Sequence, residues 1–298
     1  MPVLTRRIIL AAAAVLLSVS AVPAQEKLKT VATFSILADF VKNVGGDRVD
    51  VLALVGPNSD AHVYQPSPSD AKSLADAKVI FTNGLGFEGW IARLIKASGT
   101  KAPMIVGTKG VQPRKADDDH GHGGADPHAW QSVANAKVYV ANIRDALVAA
   151  DPAGKGAYEA NAAAYLAKLD GLDAELKATI ARIPADRRRI ITTHDAFGYF
   201  AAAYGISFIA PQGVSTESEV SAKDVARIIT QIRKQKIPAV FLENVTDDRL
   251  LKRIGAESGA RIGGTLYSDA LTDAKGPAPT YIDMMRHNVK QLADALVS

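Results

Sequence analysis

Short apolar runs rich in β-branched residues alternate along the chain with stretches whose apolar positions recur every three or four residues. The first examples are a run at 29–33, a helical stretch at 36–44 and a second run at 49–55. Further strands are predicted at 79–82, 104–107, 190–193, 207–210, 239–242 and 261–265, with helices at 87–97, 222–234 and 247–258 and a last helix containing Arg286 and His287. Strands that read as continuous apolar runs and alternate with helices predict an α/β fold with parallel-type sheets covered on both faces.

The middle of the chain breaks this rhythm. Residues 133–150 and 156–183 both read helical with no strand between them, separated by Asp151-Pro152 and closed by Pro184. Proline ends or opens helices because it lacks the amide donor and fixes φ. A helix of seven to eight turns, at about 3.6 residues per turn, is too long for an ordinary crossover. It predicts a single rigid strut between two (β/α) lobes, with a ligand in the cleft between them. The expected divisions are an N-terminal lobe at 25–150, a linker helix at 151–184 and a C-terminal lobe at 185–298.

The first residues set the compartment. Arg6 and Arg7 precede an apolar run from Ile8 to Val22, followed by the small-residue sequence Val22-Pro23-Ala24. This is the layout of a signal peptide at 1–24 with cleavage after Ala24, and the run falls short of the roughly 20 residues a membrane-spanning helix needs. The expected location is therefore the periplasm. Thr5-Arg6-Arg7 leaves both the general secretory and the twin-arginine export routes open.

The chain contains no cysteine, which removes disulfides, thiolate ligands, cysteine nucleophiles and the lipid-modified cysteine that tethers many exported binding proteins. The mature protein is expected to be soluble, unanchored and monomeric. Its formal charge of +4 includes Arg6 and Arg7; without them 33 basic residues face 31 acidic ones. Apart from Arg187-Arg188-Arg189 there is no basic run, so nucleic acid is not an expected partner.

Six histidines occur, and three follow predicted strands, where open α/β sheets place their ligand sites. His62 lies in Asp60-Ala61-His62-Val63-Tyr64, His128 in Asp126-Pro127-His128-Ala129-Trp130, and His194 in Thr192-Thr193-His194-Asp195-Ala196. One such histidine is more often a hydrogen-bonded loop residue than a ligand. Three of them, drawn from both lobes, point to a transition metal, for which imidazole is the commonest ligand. Asp269, after the last predicted strand, is the candidate fourth ligand of a tetrahedral site. The segment 116–125 holds Asp117, Asp118, Asp119, His120 and His122 among glycines, a loop that either gathers metal at low affinity or is simply solvated. His287 is read as structural.

The stretches Asp126-Pro127-His128-Ala129-Trp130, Thr193-His194-Asp195-Ala196-Phe197-Gly198-Tyr199-Phe200 and Gly263-Gly264-Thr265-Leu266-Tyr267-Ser268-Asp269-Ala270-Leu271 resemble the zinc and manganese solute-binding proteins of metal-ion ABC transporters, the cluster A-I family. The similarity runs over essentially the whole mature chain. It implies two (β/α) lobes linked by a long helix, one metal held between them at the positions of His62, His128, His194 and Asp269, and delivery to an inner-membrane ABC permease. A metallochaperone is a further partner to consider. Members resembling the manganese branch usually carry glutamate where this chain has His194, whereas zinc members carry histidine and a longer histidine-rich loop; this chain has the histidine and a short loop. Ala61 stands where the family often has proline.

Three imidazoles and one carboxylate favour Zn2+, which accepts four-coordination; Mn2+ prefers more oxygens and binds N/O sites more weakly. Manganese remains the alternative cargo. Two rival classes lose ground on the residues. A periplasmic zinc hydrolase keeps an open coordination position, and neither His-Glu-x-x-His nor Gly-x-Ser-x-Gly occurs. An organic-solute site needs aromatic platforms and arginine clamps, and only Trp90 and Trp130 are tryptophans. A binding protein and not an enzyme is therefore expected.

Overall fold

The computed structural model describes residues 26–116, 124–217 and 220–297. The predicted leader at 1–24 and the loop residues Asp117, Asp118, Asp119, His120 and His122 lie outside the described residues.

Two four-stranded parallel sheets form the frame. The first contains β1 (Leu28–Phe34), β2 (Val49–Val55), β3 (Val79–Thr82) and β4 (Met104–Val106), in the order β2-β1-β3-β4. The second contains β5 (Arg189–Ile191), β6 (Ser207–Ile209), β7 (Ala239–Glu243) and β8 (Arg261–Leu266), in the order β6-β5-β7-β8. Both follow one topology, first strand beside second, then third, then fourth. In each, the order reverses between its first and third strands, where the carboxyl ends of parallel strands open a crevice for ligand. All eight strands fall where the apolar runs predict. Central strands are buried on both faces, as in β3, whose four residues are all buried.

The helices of the first lobe are α1 (Ser35–Gly45), α2 (Pro68–Asp76), α3 (Ile91–Ser98) and α4 (Val133–Ala150). In α1 the buried positions Ile36, Leu37, Phe40, Val41 and Val44 make one stripe. The expected helix at 87–97 begins only at Ile91. Phe87 and Trp90 are buried in the turn before it, and the Glu88 carboxylate ties that turn to the end of β3 by accepting from the backbone N–H groups of Asn83 (2.6 Å) and Gly84 (3.2 Å). Side-chain bonding to the backbone here outweighs the helical pattern.

The long helix α5 (Lys155–Ala181) matches the expected strut, and it packs along its length. Tyr158, Ala162, Tyr165, Leu169, Leu172, Leu176 and Ile180 are buried at spacings of three and four. Asn161 on α5 donates to Val44 O of α1 at 3.0 Å, while Arg286 of α9 (Tyr281–Leu296) pairs with Glu175 at 2.9 Å. The strut is thus attached to α1, within the first lobe, and to α9, which follows the last strand of the second. Burying one leucine of this stripe contributes about 2 kcal/mol.

In the second lobe, α6 (Gly198–Tyr204) covers one face of the sheet and joins the main core, which continues from the first lobe through α5 and α9. Helices α7 (Ala222–Gln235) and α8 (Arg249–Ser258) bury Ile228, Ile232, Leu251 and Ile254 against Ile191 and Val240 in a separate smaller core. No helix among the described residues is long and apolar enough to cross a membrane.

Candidate metal centre

Four chain segments deliver donor atoms to one point between the sheets. Beyond β2, Asp60 Oδ1 accepts the N–H of His62 at 2.8 Å, a local turn that fixes the backbone carrying the ring. Trp90 Nε1–H donates to Ala61 O at 2.8 Å, and Phe87 packs edge-on to the His62 ring at 4.7 Å. The same Asp-x-His device recurs at His128, whose N–H donates to Asp126 Oδ1 at 2.9 Å. There the carboxylate also takes His128 Nδ1, likewise at 2.9 Å. With the proton on Nδ1 directed at Asp126, the lone pair of Nε2 faces the centre. Gly198 allows this arrangement, since a Cβ built there would lie 2.5 Å from Asp126 Oδ2.

His194 leaves the carboxyl end of β5 and is held by Glu243, the last residue of β7. Glu243 Oε1 accepts the N–H groups of Thr193 (2.7 Å) and His194 (3.0 Å). Its Oε2 lies 2.6 Å from His194 Nδ1, an ion-pair contact that misses the line of a hydrogen bond. Asp269 follows β8 by three residues and is fully buried.

The donors converge. His62 Nε2 lies 3.3 Å from His128 Nε2 and 3.3 Å from Asp269 Oδ2. His194 Nε2 lies 3.1 Å from Asp269 Oδ2, and His128 Nε2 is 3.6 Å from Asp269 Oδ1. One ligand atom from each residue lies within 4.8 Å of every other, and no other such group of three or more occurs among the described residues. His287 is elsewhere, with Nε2 3.0 Å from Thr265 O and its ring against Tyr267.

Burial and charge act against each other here. At His62 burial dominates and holds the imidazole below its usual range. At His194 burial pulls the same way, but the carboxylates of Glu243 and Asp269 together outweigh it and hold the ring well above that range. Burial likewise works to raise Asp269, and the charges of His194 and His128 with the bonds from His194 and His62 override it, leaving its carboxyl well below the usual carboxylate range. The two carboxylates thus favour the protonated form of the His194 ring, and the imidazoles favour the ionised form of Asp269.

A cleft of about 890 Å³ leads to the centre, bounded by Tyr64, Trp90, Arg93, Ser215 and Glu217, and it reaches the donor group at His62. Asp126 and Glu243 each place a carboxylate against one of the clustered histidines. The orienting roles of Asp126 and Asp60 are not evident from residue type or periodicity. Their one signal in the sequence is the repeated Asp-x-His at 60–62 and 126–128.

Comparisons with known proteins identify the family. The family described as zinc-uptake complex component A, periplasmic, matches residues 30–295. The iron-binding protein YfeA of Yersinia pestis is 38% identical over 268 residues, covering 90% of this chain and 86% of that protein. The manganese ABC transporter substrate-binding lipoprotein PsaA of Streptococcus anginosus is 34% identical over 278 residues, covering 91% and 90%. Among solved structures, the periplasmic zinc-binding protein TroA of Treponema pallidum superposes with a TM-score of 0.86 at 30% identity, covering 92% of this chain and all of that one. The chain belongs to the zinc-uptake component A family, the periplasmic metal-binding components of ABC transporters, and is a solute-binding protein and not an enzyme.

Proposed function

We propose that the chain captures Zn2+ in the periplasm through His62, His128, His194 and Asp269 and delivers it to an inner-membrane ABC permease. The reading rests on the spacing of the donors. Bonds of 2.0–2.1 Å around a tetrahedral zinc require donors about 3.3 Å apart; four of the six donor pairs lie at 3.1 to 3.6 Å, three of them through one or other oxygen of Asp269, and all four donors lie within 4.8 Å of one another. Three nitrogens and one oxygen also suit zinc better than manganese.

The capture step is an exchange of cations. The arriving metal displaces the proton of His194, Asp269 supplies the negative charge, and Asp126 and Glu243 hold two of the rings in register. The chain has no cysteine to which a lipid could be linked, and a form without such an anchor is part of the proposal.

Manganese is the second reading, favoured by one observation. Both oxygens of Asp269 face imidazoles, Oδ2 toward His62 and His194 and Oδ1 toward His128, so a bidentate grip would give a five-coordinate shell. Competition titrations of the purified protein with a chromophoric chelator, for zinc and for manganese, decide between them. One zinc per chain held more tightly than manganese supports the proposal. A manganese preference replaces the ion, and stoichiometric binding of neither ion rejects the site.

A further inference from the structure

Asp269 follows the last strand of the second sheet, and Asn244 of that lobe donates to Ala270 O at 3.2 Å, yet the backbone at 268 and 271, on either side of it, is held by the first lobe. The carbonyl of Ser268 accepts Trp130 Nε1–H at 2.9 Å and Gln131 Nε2–H at 2.7 Å, and all three residues are fully buried. Two residues beyond Asp269, Leu271 N–H donates to Ser35 Oγ at 3.0 Å and Leu271 O accepts Asn58 N–H at 2.8 Å.

The bonds at His194 run the other way. Its N–H goes to Glu243, Asp195 N–H goes to Gly213 O, and Thr193 O accepts Gln212 N–H. All of these partners belong to the second lobe.

Trp130 and Gln131 come directly after His128, in one short 3₁₀ turn (Ala129–Gln131). The element that carries one donor thus grips the backbone of another. A carbonyl oxygen has two lone pairs, and both of Ser268's are taken. Two bonds fix the plane of the 268–269 peptide, and with it the direction in which the Asp269 side chain leaves the chain. Gln131 serves through its N–H alone, since its Oε1 has no partner.

We propose that Trp130 and Gln131 are positioning residues for metal capture, which set Asp269 in the same frame as His62 and His128. These three donors form a platform, and His194 is the donor that the second lobe brings to it. The proposal rests on the four-donor reading of the site.

The test is a double-mutant cycle of zinc affinity on wild type, Gln131→Met, Asp269→Ala and the pair. Methionine keeps the volume and loses the donor. Gln131→Met is expected to weaken zinc binding about tenfold, with no further loss when Asp269 is already alanine. An equal loss in both backgrounds, or none in wild type, overturns it. If Asp269→Ala binds as wild type does, the ligand assignment fails before the positioning role is reached. Hydrogen exchange of the metal-free protein gives an independent measurement. Amides 268–271 should share the protection of 129–132 and lose it selectively in Gln131→Met; exchange in step with 193–195 contradicts the proposal.

Discussion

Asp39 and Asp269 are both aspartates at the seam between the lobes, and burial treats them alike while their partners do not. Asp39, on α1, accepts the N–H of Tyr281 at the start of α9 (3.0 Å) and the hydroxyl of Tyr165 on α5 (3.4 Å). Burial is the largest influence, only partly countered by those bonds and by Lys42, and its carboxyl is pushed up to about 6. Asp269 is buried more deeply, yet the imidazoles hold it well below the carboxylate range. A buried carboxylate among neutral donors is a costly fastening. Among imidazoles it is a prepared anion, and the pairing that stabilises it without metal is the one a cation replaces.

The largest expected effect is at the centre itself. Asp269→Ala or His194→Ala should lower zinc affinity about a thousandfold, about 4 kcal/mol, in a chelator competition titration; a loss below tenfold would deny the contrast drawn here. Asp126→Asn should cost about 10- to 100-fold in the same assay, because an uncharged amide oxygen holds the Nδ1 proton of His128 more weakly than a carboxylate does. Next is pH. His194 is held above its usual range, so the metal-free protein carries a proton there at neutral pH that metal must displace. Zinc affinity should then fall about tenfold for each unit below pH 7, and calorimetry in two buffers of different ionisation enthalpy should count about one proton released per zinc.

The smallest effect belongs to Asp39. Its folded pKa is raised, so the folded chain holds that proton more tightly than the unfolded one. The penalty is absent below about pH 4 and complete above about pH 6. Asp39→Asn should stabilise the metal-free protein by about 1–2 kcal/mol at pH 7.5, a figure reduced for partial exposure, and by nothing near pH 4. Thermal melts at the two pH values measure this, and zinc affinity should stay unchanged.

Much of this was readable in advance. Parallel strands buried on both faces announce themselves as apolar runs, and three histidines at strand ends against a chain of only six invite a metal. Helix α2 was missed because it buries only Leu74, although its start carries a capping box at Ser67 and Asp70. Helix α6 was missed because it is seven residues long and begins at a glycine. Glu243 reads as an orienting or capping acid near a strand end, but which groups the supports of the centre meet was hidden for another reason. Glu243 meets His194 across 49 positions and Gln131 meets Ser268 across 137, distances at which periodicity carries no information.

The central claim is that three imidazoles and one carboxylate, drawn from both lobes, hold a single zinc. X-ray absorption at the zinc edge of the loaded protein tests it most directly. The account predicts four light ligands at about 2.0–2.1 Å, with multiple-scattering features of three imidazoles that fall to two in His194→Ala. A shell dominated by oxygen, or one indifferent to that substitution, would contradict it.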